Sequence, residues 1–292
     1  MVSDQTVLML ARFAPGSTNI SQAASFKRLG WDTTEYDLVD RFKALGSYQA
    51  RDKEIIEACR LNKPRFVFVS KGADVSIKCI RAINSLSKTV LWYMDPLDDN
   101  WNQALLQKIV ECDIVICGLT RPFEEARKLN RNTHFVHEGF DSEVDRPHDL
   151  PKKWDTSFIG RPKGVRAAYQ VAIGFKVIND AFGREHARAV SQSRVNLNFV
   201  VNKSGCSDRV YKIMAAGGFL LSEDWPGRES DFEAGRDLVI FESLADLTRK
   251  IRYYLKNQTE REAIALAGFN KVQQFSRNAF AERVIRIVGE RA

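Results

Sequence analysis

The sequence contains no apolar run long enough to cross a bilayer. A membrane-spanning helix needs about 18 to 20 consecutive apolar residues, and no such run occurs among the 292 residues. The chain begins MVSDQTVLML, where Asp4 precedes a short strand-like stretch, so we predict no export signal. With 44% hydrophobic residues, the composition favours a folded cytoplasmic protein without a membrane span over a disordered or membrane-embedded one.

Paired cysteines are also missing. The chain has five cysteines, an odd number, with no C-x-x-C pair: Cys59, Cys79, Cys112, Cys117 and Cys206. They lie mostly in apolar segments, which is typical of reduced core thiols and argues against a disulfide framework or a zinc site. We therefore expect a reducing compartment.

Motifs for metals and for dinucleotides are absent as well. The four histidines (134, 137, 148 and 186) show no H-E-x-x-H spacing, and DPLDD at 95–99 is a poor match to the D-x-D pattern that holds a metal-bound nucleotide, so we expect metal independence. We interpret His186 as a helix-surface residue rather than a catalyst. The loop RFAPGSTN at 12–19 lacks G-x-G-x-x-G, which disfavours an NAD enzyme.

The charge is unevenly distributed. The net charge is +7, and residues 1–150 hold 20 basic and 21 acidic side chains, against 24 and 16 in residues 151–292. Within the first half, residues 41–88 hold 11 basic and 4 acidic side chains, whereas residues 91–150 hold 6 and 12. The basic segment favours an anionic partner, although solvated faces of successive helices would give the same pattern.

Short β-rich runs alternate with amphipathic stretches along most of the chain. This pattern predicts an α/β protein with two Rossmann-like lobes facing a central cleft. The charged, proline-containing stretch at 141–153 is predicted to be a linker. We predict domains at 1–145 and 146–275, and a final helix at 276–292 that packs back on the first domain. The predicted strands are 6–11, 31–38, 65–70, 89–94, 113–119, 133–137, 155–160, 195–201, 218–223 and 237–243, and three helices are predicted after them.

The segment RVYKIMAAGGFLL at 209–221 carries the most specific motif. With the acidic turn, strand and Leu-rich helix that follow, it resembles the C-terminal region of glycosyltransferases of the GT-B fold, in particular the CgeB-like, family 1-like group. The similarity is specific over about 195–275, and the first lobe matches in general layout alone. The resemblance implies that the second lobe binds a nucleotide-sugar co-substrate, for which UDP-glucose is a generic choice, and that the first lobe binds the acceptor. It implies no cofactor.

The helix that opens near Asp208 can direct free N–H groups towards a phosphate, although Asp208 could equally be only a cap. Gly217 and Gly218 could likewise serve only to end that helix. One departure from the resemblance is Lys212, which stands where many relatives carry a glutamate that can hold the ribose. The resemblance places the following residues at the donor: Gly160, Arg161, Lys163, Arg166, Asn198, Ser207, Arg209, Tyr211, Lys212, Gly217, Gly218, Glu223 and Asp224.

In the first lobe, Asp95 is the leading candidate for a catalytic base, because it ends a predicted strand and has Asp98 and Asp99 nearby to raise its pKa. The alternative is that these acids cap a helix starting near Trp101. His137 and Glu138 are weaker candidates, and a retaining mechanism would need no base. The residues expected to bind the acceptor are Arg12, Ser17, Asn19 and Lys71.

Three functions therefore stand as hypotheses. The first is a glycosyltransferase, whose acceptor could be a hydroxymethylated base in DNA, flipped from the stack, or a polysaccharide, protein or small molecule. The basic segment motivates the DNA acceptor, through Lys53, Lys63, Arg65 and Lys78. The second is a non-catalytic module of the same fold that binds nucleic acid or a partner, as Lys212 and the short stretch between 160 and 195 suggest. The third is a sugar-nucleotide epimerase.

Overall fold

The computed structural model describes residues 5–72, 74–98, 101–200 and 202–290. The chain divides into two compact units, Met1–His137 with Arg277–Ala292, and Glu138–Ser276. Neither a helix nor a strand lies between Phe135 and Trp154, apart from an isolated bridge at Phe140. The boundary between His137 and Glu138 thus lies within an irregular stretch that also contains the predicted linker at 141–153.

Six parallel strands form the sheet of the first unit among the described residues, in the order β2-β1-β3-β4-β5-β6. The strands are β1 (Thr6–Ala11), β2 (Asp32–Asp37), β3 (Phe66–Ser70), β4 (Lys88–Tyr93), β5 (Ile114–Cys117) and β6 (Thr133–Phe135). The helices between them are α1 (Thr18–Arg28), α2 (Leu38–Leu45), α3 (Tyr48–Asn62), α4 (Ile77–Asn84), α5 (Gln103–Glu111) and α6 (Thr120–Leu129). All six predicted strands are confirmed.

The second unit has a five-stranded parallel sheet within the described residues, in the order β11-β10-β9-β7-β8. Its strands are β7 (Trp154–Ile159), β8 (Lys176–Ile178), β9 (Ser193–Asn198), β10 (Leu220–Ser222) and β11 (Val239–Ile240). Its helices are α7 (Val165–Ile173), α8 (Arg184–Ser191), α9 (Asp208–Ala215), α10 (Arg228–Asp231), α11 (Leu244–Lys256) and α12 (Gln258–Val272). After a short 3-10 turn, α13 (Arg277–Gly289) belongs to the first unit. The four strands predicted for this half are confirmed, and β8 was not predicted.

Both faces of the first sheet are covered, which explains why its central strands are apolar throughout. Phe66 and Phe68 of β3 pack with α1 and α13 on one face, whereas Val67 and Val69 pack on the other. Phe280 of α13 lies edge-on to Trp92 of β4, with ring centres 4.9 Å apart. The last helix is therefore part of the core of the first unit. No helix of the described residues is long and apolar enough to span a membrane.

The order of the strands fixes where each unit can bind a ligand. In the first sheet β2 and β3 lie on opposite sides of β1. In the second sheet β8 and β9 lie on opposite sides of β7. Ligands of such sheets bind beyond the carboxyl ends of the strands, at the point where the strand order reverses. The loops after β1 and β3, and those after β7 and β9, are the places to examine.

Candidate functional site

Asn198 is the centre of a hydrogen-bond network at the carboxyl edge of the second sheet. This residue ends β9 and its side chain is fully buried. Its Oδ1 accepts hydrogen bonds from Ser207 Oγ at 3.1 Å and from Arg209 Nη1 at 3.0 Å, and its Nδ2 donates to Ser222 Oγ at 2.9 Å. Asn198 therefore fastens the start of α9 to the ends of β9 and β10, and it holds Arg209 rather than lying open to a ligand.

The guanidinium of Arg209 is fixed beside the point where the strand order reverses. Its Nε donates to the carbonyl of Ile159 at 3.0 Å, and its Cζ lies 4.9 Å from the centre of the Phe158 ring. Burial lowers the pKa of Arg209 from its ordinary value, while Asp208 acts in the opposite direction, and an arginine stays charged under such a shift. Within the described part of the chain, Nη2 has no hydrogen-bond partner and the group forms no ion pair.

A second guanidinium contacts the same aromatic ring. Arg166, in the first turn of α7, has its Cζ 5.8 Å from the centre of the Phe158 ring. Burial lowers the pKa of Arg166, and Glu223 acts in the opposite direction. Among the described residues its side chain forms neither a hydrogen bond nor an ion pair. Two half-buried guanidiniums that make no ion-pair contact with a described carboxylate create a positive potential that suits a ligand with more than one negative charge.

Gly160 lets the backbone come close to Arg209. Its φ is 136°, and a Cβ at this position would lie 3.2 Å from Arg209 Nη2. The cations that follow it diverge: Arg161 is exposed and forms an ion pair with Asp180 at 2.9 Å, and Lys163 is exposed. Within residues 160–166, all of which the structure describes, Arg166 is the cation that turns inward.

The acidic turn after β10 is held by local bonds. Glu223 Oε2 accepts the N–H of Val200 at 2.7 Å, which fixes this carboxylate at the carboxyl edge. Asp224 pairs with Arg228 at 2.6 Å and accepts the N–H of Trp225. Glu223 is therefore close to the Asn198 network, whereas Asp224 is engaged within its own turn.

Three further residues of the motif lie in the core or beyond the end of α9: Tyr211, Gly217 and Gly218. Tyr211 is fully buried in the core, where its ring packs against Phe232 and Phe275. Gly217 and Gly218 follow the end of α9, about 12 Å along the helix from Arg209, since an α-helix rises 1.5 Å per residue. A Cβ on Gly218 would overlap Val190, so this glycine serves close packing. The structure thus gives Tyr211 and Gly218 packing roles, and the contact of the three residues with the donor stays a prediction.

Lys212 forms an ion pair with Asp208, one helical turn before it, and both lie beside His186 of α8. His186 is buried, so its interpretation as a surface residue is wrong. Burial, reinforced by Lys212 and Arg209 and opposed by Asp208, lowers the pKa of His186 to about 3. The imidazole is therefore neutral in the folded protein, and its Nδ1 has no hydrogen-bond partner among the described atoms.

Replacement of His186 by glutamine should make stability less sensitive to acid. The folded-state pKa of about 3 lies below the ordinary value of 6.5, so the unfolded chain binds a proton first as the pH falls. The stability that neutral His186 contributes is present above pH 6.5 and is lost below it, by about 1.4 kcal/mol per pH unit. Urea unfolding at pH 7.5, 6.0 and 5.0 should show that, below pH 6.5, the free energy of unfolding of the unsubstituted protein falls relative to that of H186Q by about 1.4 kcal/mol per pH unit. Parallel pH profiles would contradict the assignment.

Three of the residues predicted to bind an acceptor are joined in the loop after β1. Ser17 Oγ and Asn19 Nδ2 donate to the carbonyl of Arg12 at 2.8 and 3.0 Å. Ser70, at the end of β3, donates to Asn19 Oδ1 at 2.8 Å. Asn19 is buried, so it shapes the loop, whereas the Arg12 side chain is exposed.

Lys71 and Asp95 meet at the ends of β3 and β4. Lys71 Nζ donates to Asp95 Oδ1 at 2.7 Å, so the structure places a cation beside the predicted base. For Asp95 and Asp98 the alternative role as caps of α5 is wrong, because Asn102 caps this helix by accepting the N–H groups of Ala104 and Leu105. Asp99 lies outside the described residues. No group of three or more histidine, cysteine or acidic residues suited to a metal occurs in the described part of the chain.

Several residues of this environment carry no signal in the sequence. Phe158, which both guanidiniums contact, occupies an ordinary buried strand position, and nothing distinguishes it from the other apolar strand residues. The buried His186 lies in a polar segment, GREHARAV, which hides its burial.

Comparison with known proteins agrees with this architecture. HepE (Alr3699) of Anabaena, solved in complex with UDP-glucose, is 10% identical, with a TM-score of 0.71 over 97% of this chain and 99% of that chain. A glycosyltransferase from Rickettsia africae is 12% identical, with a TM-score of 0.70 over 98% of each chain. Sucrose-phosphate synthase from Thermosynechococcus elongatus is 11% identical, with a TM-score of 0.67 over 97% of this chain and 98% of that chain. A comparison with curated proteins finds no match.

The two Rossmann-like units and these likenesses define the GT-B fold, which confirms the predicted fold class. Residues 147–288 match the model of a family described as Glycosyl transferase-like. This match covers most of the second unit and the last helix, and it confirms for that part of the chain the resemblance that the motif at 209–221 predicted.

Proposed function

We propose that this protein transfers a sugar from a nucleotide-sugar donor to a hydroxyl group of an acceptor, with UDP-glucose as the first donor to test. The observation that carries the proposal is the pair of guanidiniums on Phe158, neither of which makes an ion-pair contact with a described carboxylate, and one of which is also fixed by Ile159 and Asn198. A diphosphate would supply that anionic contact. The solved complex of HepE with UDP-glucose supports the choice of donor.

In this proposal Arg209, Arg166 and the first N–H groups of α9 hold the diphosphate and stabilise the charge that develops on it as the sugar departs. The cations take the part that a metal ion plays in other transferases, so we propose a metal-independent reaction. Glu223 would lie near the sugar. Gly160 supports Arg209, and Lys163, Arg161, Ser207, Lys212 and Asp224 remain predicted outer contacts of the donor.

For the first unit, we propose that Asp95 accepts the proton of the acceptor hydroxyl in an inverting transfer. Lys71 Nζ, 2.7 Å away, orients this carboxylate. Arg12 and Lys71 would contact the acceptor, whereas Ser17 and Asn19 would shape the loop. All five cysteines are free and buried, which supports placing this reaction in the cytoplasm.

DNA with a hydroxymethylated base is the acceptor that the basic segment supports. Much of its charge is neutralised locally, by the pairs Arg41–Glu54, Arg60–Glu57 and Arg81–Glu111. The exposed cations divide between the two edges of the sheet. Lys53 and Lys78 lie towards the carboxyl edge, as the contact between Asp52 and Cys79 shows, whereas Lys63 and Arg65 immediately precede β3 at the amino edge.

This division allows a matched test of the DNA acceptor. The double variant K53E/K78E should weaken binding of a duplex with a hydroxymethylated cytosine, and the slope of log affinity against log salt should fall by about 1.8, since each phosphate contact contributes about 0.9. The variant K63E/R65E, with the same change in net charge, should leave the slope unchanged. Equal effects of the two variants, or salt-independent binding, would exclude a DNA acceptor at this edge.

The enzymatic proposal is tested by mixing the purified protein with UDP-glucose and following the release of UDP. A ligand at 100 times its dissociation constant stabilises the folded state by about 2.7 kcal/mol, so a thermal shift reports binding separately from turnover. Binding without release of UDP, with or without candidate acceptors, would favour the non-catalytic module. Conversion of the sugar without an acceptor would favour the epimerase.

A further inference from the structure

The turn after β3 has an unusual backbone conformation. Lys71, Gly72 and Asp74 have φ values of 61°, 65° and 65°, all in the left-handed region. Left-handed conformations are disfavoured for residues with a side chain, and the cost must be offset by the surroundings. Two such residues with side chains, Lys71 and Asp74, indicate that neighbouring groups hold the described residues of this turn in place.

Two buried cations provide those groups. Arg51 of α3 is 1% exposed, and its guanidinium donates to the carbonyls of Leu38 and Asp74. Lys108 of α5 is 8% exposed, and its Nζ donates to the carbonyl of Gly72 at 2.5 Å. Neither side chain forms an ion pair with a described residue. Burial of a cation without an ion-pair contact is costly, and an apolar side chain would fill the same space at lower cost.

The turn leaves little room for another arrangement. A Cβ on Gly72 would lie 3.1 Å from Leu91 Cδ1 and 3.1 Å from Lys108 Cδ. The backbone N–H of Lys71 donates to the carbonyl of Trp92 at 2.6 Å, which ties the turn to β4. The direction of the Lys71 side chain, and hence its bond to Asp95, is set by these contacts.

We propose that Arg51 and Lys108 are positioning residues that act through the turn after β3 to hold Lys71 Nζ against Asp95. This inference rests on the proposed function, because Asp95 is the base of that reaction. The two cations touch neither donor nor acceptor in this account. Their N–H groups hold the carbonyls of Gly72 and Asp74, and the fixed turn presents one ammonium group to one carboxylate.

The first test is hydrogen exchange at the Lys71 amide, which needs no substrate. Replacement of Lys108 by methionine keeps the length of the side chain and removes its hydrogen bond. We expect K108M to raise the exchange rate of this amide at least tenfold. Lys152 is the matched control, because its Nζ likewise donates to backbone carbonyls, those of Ser191 and Ser193, in the other unit. K152M should leave the Lys71 amide unchanged, and no increase in K108M would overturn the proposal.

The second test is a double-mutant cycle with UDP-glucose and water as acceptor. K108M should lower kcat for UDP release about tenfold to a hundredfold, the loss expected from a small misplacement of a catalytic group, with unchanged affinity for UDP-glucose. In a chain that already carries K71M, the same substitution should have little further effect, because Lys108 acts through Lys71. Additive losses in the cycle would overturn the positioning role. If K108M does not fold, Arg51→Met replaces it in both tests.

Failure of the proposed function is recognised before any substitution is made, because the unsubstituted protein would then release no UDP. That result would also overturn the catalytic part of this inference, and the exchange measurement would still decide whether the two cations hold the turn.

Discussion

Replacement of Arg209 by methionine is expected to weaken the binding of UDP-glucose about a hundredfold without destabilising the unliganded protein. A hydrogen bond to a charged group contributes about 1.5 to 3 kcal/mol, which corresponds to a factor of about 10 to 150 in affinity. The unliganded protein loses a half-buried cation that makes no ion-pair contact with a described carboxylate, so its free energy of unfolding should stay the same or increase. If Arg209 were purely structural, R209M would lower the free energy of unfolding and leave the affinity for UDP-glucose unchanged.

The matched control for Arg209 is Arg261, at the start of α12. It is 6% exposed and donates to the carbonyl of Tyr254 at 2.5 Å, and burial lowers its pKa as well. R261M should cost stability and leave the affinity for UDP-glucose unchanged. Calorimetric titration with UDP-glucose and urea unfolding measure the two quantities. Unchanged affinity in R209M would remove Arg209 from the donor site.

Replacement of Asp95 by asparagine is expected to lower kcat by a factor of about 10² to 10⁴, the range usual for loss of a general base. The affinity for UDP-glucose should not change, because Asp95 lies in the first unit and the donor residues lie in the second. The loss should appear in the release of UDP with water as acceptor, measured under single-turnover conditions so that product release does not contribute.

Asp40 is the control for this substitution, because it is also an ion-paired aspartate of the first unit, 3.1 Å from Lys43. D40N should retain full kcat. If D95N also retained full kcat, Asp95 would be a structural partner of Lys71, and the transfer would proceed without this base.

The fold could be predicted from the sequence because its central strands are short apolar runs between polar turns. Strands β3 and β4 are covered on both faces, so their burial shows directly in composition. Strand β8 could not be predicted, since its three residues lie at the edge of the sheet with one exposed and two half-buried side chains. An edge strand that short has no alternating pattern to detect.

The candidate site could be predicted in part. Arg209 follows from the rule that a helix N-terminus at the carboxyl edge of a sheet binds anions, and the structure places it as the second residue of α9. Tyr211 and Gly218 belong to the same motif, but a motif does not tell which face or which end of a helix each residue occupies. Arg51 and Lys108 could not be found, because a buried cation cannot be distinguished from an exposed one in a helical pattern.

The most direct test of the central claim is a crystal structure of the protein with UDP bound. The account predicts a diphosphate oxygen within about 3 Å of Arg209 Nη2, the usual length of a charge-assisted hydrogen bond, with the Arg166 guanidinium and the first turn of α9 beside it. A diphosphate bound elsewhere, with Arg209 still bonded only to Ile159 and Asn198, would contradict the account.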